Sequence, residues 1–203
     1  LHMKSSQKHI KRLSILVTSL FCCVAIAIFS FKQCKATNEG EPSVVFVCDS
    51  TEIWGIDISH HQRTVQWDLL MKNPPHFIFL KATEGINIKD STYTKHKAEA
   101  EARGILVGAY HFFGYRTPGK EQAKEFIKIA DLKKGNLIPV LDVEQRKRMP
   151  SKSYILTQIR AYIKAIEQHY GVSPIIYTNS SYYNTYLKGQ GFDKYILWIA
   201  DYR

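Results

Sequence analysis

Two carboxylates, Asp142 and Glu144, stand two residues apart at the end of the apolar run 137–141. If that run is a β-strand, both side chains point the same way, with β-carbons roughly 6–7 Å apart. Two like charges this close raise the proton affinity of at least one of them. A carboxyl group that stays protonated near neutral pH can act as a general acid on a leaving oxygen. Hydrolysis of glycosidic bonds is the reaction that most often uses such carboxylates.

Short apolar runs alternate with amphipathic stretches along the rest of the chain. This alternation predicts a parallel sheet with covering helices, and the nearly all-apolar strands are typical of a sheet buried on both faces. An open doubly wound sheet and a closed barrel both satisfy the pattern. No glycine-rich phosphate loop follows the first strand, which argues against nucleotide binding. The predicted strands cover 53–58, 76–82, 105–113, 137–141, 173–177 and 195–200, and the predicted helices cover 65–71, 92–103, 119–130, 153–170 and 180–187.

Each predicted strand is apolar until its carboxyl end, where reactive or hydrogen-bonding side chains appear. In a barrel these ends share one face, and that face carries the active site. The set combines carboxylates with aromatic rings, on which the apolar faces of sugars stack. The candidate site residues are Asp57, Glu84, Tyr110, His111, Asp142, Glu144, Tyr177, Trp198 and Asp201.

Other chemistries compete for the same residues. A metal site could be built from Asp57, His111 and Asp142, whereas the adjacent His60 and His61 would point apart on an extended chain. A serine nucleophile is disfavoured because no G-x-S-x-G turn is present. A lysine at the end of the second strand, Lys81, could form a Schiff base or could pair with a neighbouring carboxylate.

The composition limits the class of protein. The 203 residues suffice for one domain, and 28 Lys and Arg against 18 Asp and Glu give a net charge of +10. Such a charge suits nucleic acid, an anionic membrane or an acidic polymer, but no nucleic-acid-binding motif is present, so we expect no nucleic-acid partner. All four cysteines precede residue 53, so the globular part has neither disulfide nor thiolate metal site. We expect a monomer without a cofactor.

The amino-terminal region has the layout of an export signal. A basic tail at 1–12 precedes the uncharged apolar stretch 13–31, which is long enough for a membrane helix. We therefore expect either a cleaved signal or an uncleaved anchor that leaves the domain outside the cytoplasm. A polar linker at 32–52 would connect this segment to a domain at 53–203.

Five stretches in order resemble the glycoside hydrolase family 25 muramidases, the lysozymes of Chalaropsis type. They are GIDISHHQ at 55–62, KATEG at 81–85, GAYHF at 108–112, PVLDVE at 139–144 and LWIA at 197–200. The resemblance implies an irregular TIM-like α/β barrel with a groove at its carboxyl face. It also implies cleavage of the β-1,4 bond between N-acetylmuramic acid and N-acetylglucosamine in peptidoglycan, with retention at the anomeric carbon.

The resemblance assigns roles to the strand-end residues. It implies that Glu144 is the general acid and then base, and that Asp142 orients the 2-acetamido group or stabilises the developing charge. Asp57 would be a further catalytic carboxylate in the groove floor. The nucleophile would be a protein carboxylate or the substrate's own acetamido group. The remaining candidates would bind substrate: Glu84, Tyr110, His111, Tyr177, Trp198 and Asp201.

The chain departs from the family pattern at two places. Arg63 stands where related chains often have glycine. Related domains also continue past the Trp-Ile-Ala strand, so we expect a fragment whose barrel is incomplete, with about six strands. Two other functions stay open at this point: a wall-binding module without turnover, and a metal-dependent hydrolase of an acidic polymer.

Overall fold

The computed structural model describes residues 53–62 and 64–200 in full. Before them it describes only the backbone of four short strands. Ile15–Leu16 pairs antiparallel with Ile28–Phe29, and Gln33–Thr37 pairs antiparallel with Val45–Asp49. The rest of the predicted apolar segment and linker, together with Arg63 and Asp201, lies outside the described residues. Within the described ranges, no helix is both long and apolar enough to cross a bilayer.

The fold is a curled sheet whose parallel strands follow one another in chain order. Every crossover advances one place in the same direction, from β1 at one edge to β7 at the other. This winding is that of a barrel, because a doubly wound sheet reverses its direction partway. The strands are β1 (Gly55–Ile58), β2 (Phe77–Glu84), β3 (Ile88–Lys89), β4 (Leu106–Phe112), β5 (Val140–Asp142), β6 (Ile175–Asn179) and β7 (Leu197–Ala200), of which β3 pairs antiparallel with the end of β2.

Helices cover the convex side of this sheet, and their bounds lie within a few residues of the predicted ones. The longest begins after Ser151, whose hydroxyl accepts a hydrogen bond from the Tyr154 N–H. The short β3 strand was not predicted, since two exposed residues carry no periodic signal. The helices are a 3₁₀ turn at His60–Gln62, α1 (Trp67–Leu70), α2 (Tyr93–Ala102), α3 (Gly119–Ala130), α4 (Lys152–Tyr170) and α5 (Ser180–Tyr182), which continues as a π-helical turn at Tyr183–Leu187.

Strand alternation divides the core into two layers. On β1, Ile56 and Ile58 belong to the large cluster between sheet and helices. Leu141 on β5 and Val143 just after it belong to the same cluster. Each fully buried side chain of this size contributes roughly 1.5–3 kcal/mol, so this outer layer supplies most of the stabilisation. Residues between them in the sequence therefore face the concave side.

A second, smaller cluster fills the base of the concave side. The rings of Phe79 on β2 and Trp198 on β7 are 5.6 Å apart, although three strands separate them in the sheet. The sheet must therefore curl far enough for its opposite margins to meet. Gly108 permits this packing, because a β-carbon there would lie 2.3 Å from the Phe79 ring. The cluster comprises Phe77, Phe79, Val140 and Trp198, with Ile53, Tyr110, Leu137, Ile175 and Tyr177 packed against it.

The contact between α3 and α4 yields a prediction for stability. A β-carbon on Gly119 would lie 1.9 Å from the backbone oxygen of Gln158, so Gly119→Ala must push the two helices apart. We expect a loss of about 1–3 kcal/mol in the free energy of unfolding, measured by chemical denaturation. Lys120→Ala, at the exposed next residue, is the control and should change it by less than about 0.5 kcal/mol. Equal effects of the two substitutions would contradict this packing.

Candidate active site

Three carboxylates meet on the concave side at the carboxyl ends of their strands. Asp57 alternates with Ile56 and Ile58, and Asp142 alternates with Leu141, so both point away from the helices. Glu144 lies two residues beyond Asp142 on the same course of backbone, where the Val143 N–H still bonds to the Tyr177 carbonyl. The predicted pairing of Asp142 with Glu144 on one side of the chain therefore agrees with the structure.

The environment of these carboxylates favours their protonated forms. Burial raises the pKa of Asp57 to about 7. Burial, and then the charges of Glu144 and Asp57, raise the pKa of Asp142 well above its ordinary value. Burial also raises the pKa of Glu144, against the opposing charge of Arg146. All three shifts favour a protonated carboxyl group closer to neutral pH, and general acid catalysis requires such a group.

One oxygen of Asp142 has no partner. Its side chain is 8% exposed, and its buried Oδ1 makes no hydrogen bond with any described residue. A buried acceptor without a donor costs free energy. The hydrogen-bonding capacity of this oxygen is therefore unused within the described residues.

Aromatic rings stand beside the carboxylates. Asp142, Tyr177 and Trp198 are register partners on the adjacent strands β5, β6 and β7, so their side chains form one row. The rings of Tyr177 and Trp198 are 4.9 Å apart and nearly perpendicular. Together with Tyr110 on β4, these two rings form the aromatic wall of the site. The pKa of Tyr110 is raised by burial and by the charges of Asp57 and Asp142.

Glu84 lies at the rim between two cations. Its carboxylate oxygens are 2.7 Å from Lys81 Nζ and 2.8 Å from an Arg146 guanidinium nitrogen, and both cations lie over the ring of Phe112. Burial would raise the pKa of Glu84, but the hydrogen bonds and charges of the two cations lower it. Glu84 is thus ionised, and Lys81 is a paired lysine, as the second of its two interpretations predicted.

An irregularity in β2 makes this ion pair feasible. The register with β4 shifts between Lys81 and Thr83. In a regular strand, residues three apart point to opposite faces, so Lys81 and Glu84 could not meet. The bulge instead brings Lys81 and Glu84 to one side and turns Thr83 toward the helices.

His111 does not join the site. Its ring is fully buried behind the sheet, stacked on Tyr162 of α4 at 4.9 Å. Its nitrogens lie 2.7 Å from Thr83 Oγ1 and 2.9 Å from Gln122 Oε1, and burial lowers its pKa to about 4. Because His111 follows the inward-facing Tyr110 on a strand, it must face outward. Its predicted role in substrate binding is replaced by a structural one.

The same alternation separates the proposed metal ligands. His111 lies on the opposite face of the sheet from Asp57 and Asp142, so these three residues cannot share an ion. Throughout the described residues, no group of three or more His, Cys, Asp or Glu side chains is arranged to hold a metal. The expectation that His60 and His61 point apart is also wrong, since their 3₁₀ turn leaves the rings 4.0 Å apart.

Two supporting contacts escaped the sequence analysis. The Tyr115 hydroxyl is 2.9 Å from the backbone oxygen of Glu144 and 2.6 Å from the Tyr182 hydroxyl, which fixes the backbone that carries Glu144. Buried Asp90 accepts hydrogen bonds from both the backbone N–H and the ring of His60. The contacts of Tyr115 with Glu144 and of Asp90 with His60 each join residues about thirty positions apart, so no local sequence pattern predicts them.

Comparison with known proteins identifies the family of this chain. The profile of the family described as Glycosyl hydrolases family 25 matches residues 56–203. Protein YegX of Escherichia coli K12 is 33% identical over 158 residues, which cover 75% of this chain and 57% of YegX. Lysozyme M1 of Streptomyces globisporus is 32% identical over 149 residues, covering 68% of this chain and 50% of that protein.

Solved structures give the same result. The family 25 glycosyl hydrolase from Bacillus anthracis matches with a TM-score of 0.68 at 33% identity, covering 73% of this chain and 70% of that one. The family 25 lysozyme from Aspergillus fumigatus has a TM-score of 0.67 at 31% identity, covering 73% and 77%. This chain spans little more than half the length of YegX. The match of the family profile over most of the chain shows that it belongs to glycosyl hydrolase family 25.

Proposed function

We propose that this domain is a lysozyme that hydrolyses the β-1,4 bond between N-acetylmuramic acid and N-acetylglucosamine in peptidoglycan. The observation that carries the proposal is the cluster of Asp57, Asp142 and Glu144, three carboxylates with raised pKa values on one concave face. Membership of family 25 and the likeness to Lysozyme M1 support it.

Glu144 is the proposed general acid. It is partly buried, which raises the pKa of its carboxyl group and favours the protonated form while leaving the group within reach of the groove. It donates that proton to the leaving oxygen as the glycosidic bond breaks. The resulting carboxylate then takes a proton from the attacking water in the second half of the reaction. The Tyr115 contact to its backbone keeps this group in place during both steps.

Asp142 is the proposed helper. Its unpartnered Oδ1 can accept a hydrogen bond from the N–H of the substrate's 2-acetamido group. That bond would orient the acetamido oxygen toward the anomeric carbon, where positive charge develops. Asp57 would contribute its carboxyl group from the floor of the groove. The burial of both side chains strengthens these electrostatic interactions, because water screens them less.

Substrate binding is assigned to the rim and the aromatic wall. Tyr110, Tyr177 and Trp198 would stack on sugar faces, and Glu84, held by its two cations, would accept sugar hydroxyl hydrogen bonds. Asp201 keeps its predicted binding role, although it lies outside the described residues. The partner is peptidoglycan, and we propose an exported protein, either secreted or held at the membrane by residues 13–31.

The first test replaces the proposed acid. Glu144→Gln keeps the shape of the side chain but cannot donate a proton, so release of reducing sugar from peptidoglycan should fall at least about a hundredfold. Circular dichroism and the unfolding midpoint should stay close to those of the unchanged protein.

Glu121→Gln on the exposed face of α3 is the matched control and should leave the rate unchanged. Full activity of Glu144→Gln would refute the assigned role. Binding of the unchanged protein to peptidoglycan without any product would favour a wall-binding module instead.

The second test uses the pKa of Asp57. Its pKa is about 7 in the folded chain and near 3.8 when unfolded, so the folded state binds the extra proton between these values. This stabilisation is complete below pH 3.8 and is lost as the pH rises from about 4 to 7. Asp57→Asn cannot titrate and so does not suffer this loss. The free energy of unfolding of the variant, relative to that of the unchanged protein, should therefore rise by about 2–4 kcal/mol between pH 4 and pH 7.

Chemical denaturation at pH 4, 5.5 and 7.5 measures this difference. Asp193→Asn, at an exposed position, serves as the control and should follow the unchanged protein at every pH. A constant offset between Asp57→Asn and the unchanged protein across the three pH values would show that Asp57 titrates normally.

A further inference from the structure

A basic loop follows the proposed acid directly. Arg146, Lys147 and Arg148 come two, three and four residues after Glu144, and all three are exposed. Arg116, also exposed, lies in the neighbouring loop after β4, next to the Tyr115 that contacts the Glu144 backbone. Two loops that meet at the backbone of Glu144 therefore both carry exposed cations.

Both ends of the basic loop are fixed. Arg146 is bonded to Glu84, stacks on Phe112 at 4.0 Å, and donates its backbone N–H to Met149 Sδ. Ser151 then caps α4. Lys147 and Arg148 thus occupy the exposed middle of a short loop with anchored ends, which lowers the entropy cost of binding there.

The charges in the middle of this loop are not neutralised within the described structure. No described carboxylate lies within ion-pair distance of the Lys147 or Arg148 side chain, whereas Arg146 pairs with Glu84. On α3 the exposed Lys124 pairs with Glu121 one turn away. Lys120 and Lys164 on the helices are also exposed and without an ion pair to any described residue, so what distinguishes this loop is its place directly after Glu144 and its anchored ends.

We infer that Lys147 and Arg148, with Arg116, bind the free carboxylates of the peptide stems that peptidoglycan carries. This inference rests on the proposed function. The glycan itself offers no formal charge, but each stem is attached to the lactyl group of the muramic acid residue whose bond would be cleaved. Three or four residues span at most about 10–14 Å, so the loop lies within a stem's reach of Glu144.

The expected strength is modest. An exposed ion pair contributes at most about 1 kcal/mol, and two such contacts of about 0.7 kcal/mol each correspond to about a tenfold change in affinity. Because salt screens exposed charges, the preference should also weaken between 50 and about 500 mM salt. These magnitudes suit a groove that must release its product.

The experiment compares two forms of one wall in a Glu144→Gln background, so that binding is measured without digestion. Sacculi free of teichoic acid are used either intact or after carbodiimide coupling to glycinamide has converted the free stem carboxylates to neutral amides, which leaves the wall insoluble. Co-sedimentation gives the dissociation constant for each. The double substitution Lys147→Ala/Arg148→Ala should bind intact sacculi about tenfold more weakly and amidated sacculi with unchanged affinity.

The control variant, Lys120→Ala/Lys164→Ala, removes the same charge from exposed positions on α3 and α4 and should behave like the parent protein. Three results would overturn the inference: equal loss on both forms of the wall, equal loss in the control variant, or no preference of the parent for intact sacculi. Reducing-sugar release by the chain with Glu144 tests the proposed function separately, since its failure would leave these affinities unaffected.

Discussion

The burial of three carboxylates on one apolar concave face is the constraint on which the rest of the structure depends. Asp57, Asp142 and Glu144 lose hydration there, and Asp142 also faces the charges of the other two. An ionised cluster of this kind would be costly, and burial and mutual repulsion therefore raise the pKa values of its carboxyl groups. The outer layer of aliphatic contacts between sheet and helices must supply the remaining stability. Catalytic competence and the electrostatic cost thus have the same physical origin.

Strand alternation decides which polar residues face the buried carboxylates and which pack behind the sheet. Tyr110 and His111 are adjacent, yet one faces Asp57 and the other packs on Tyr162 behind the sheet. His111 is satisfied there by Thr83 and Gln122, and its low pKa keeps it neutral. The bulge in β2 affects both faces of the sheet, since it turns Thr83 toward His111 on the helix-covered face and leaves Glu84 at the rim of the concave face. A single local irregularity therefore connects the buried polar network with the substrate side.

The features that were predictable from the sequence are those that depend on local periodicity. Six strands and the position of Asp142 and Glu144 follow from apolar runs and from a spacing of two residues. The order of the strands in the sheet did not follow from periodicity, which left a barrel and a doubly wound sheet open. The face of His111 was also accessible, because neighbours on a strand cannot both line a groove, but the motif GAYHF drew both residues into the candidate set. The ion pair between Glu84 and Arg146 joins residues 62 positions apart, and the bulge that permits it leaves no mark in composition. Such contacts become visible only when the sheet curls.

The curl of the sheet also places the acidic residues in different electrostatic environments. Glu84 stays ionised because Lys81 and Arg146 hold its two oxygens, and this pairing uses two cations that would otherwise be free to approach the buried carboxylates. Arg146 nevertheless lies close enough to oppose the rise in the pKa of Glu144. If Glu84 were absent, an unpaired Arg146 would draw the proton from Glu144 more strongly. The lowered pKa of Glu84 at the rim and the raised pKa of Glu144 inside therefore both depend on where the guanidinium group of Arg146 is held.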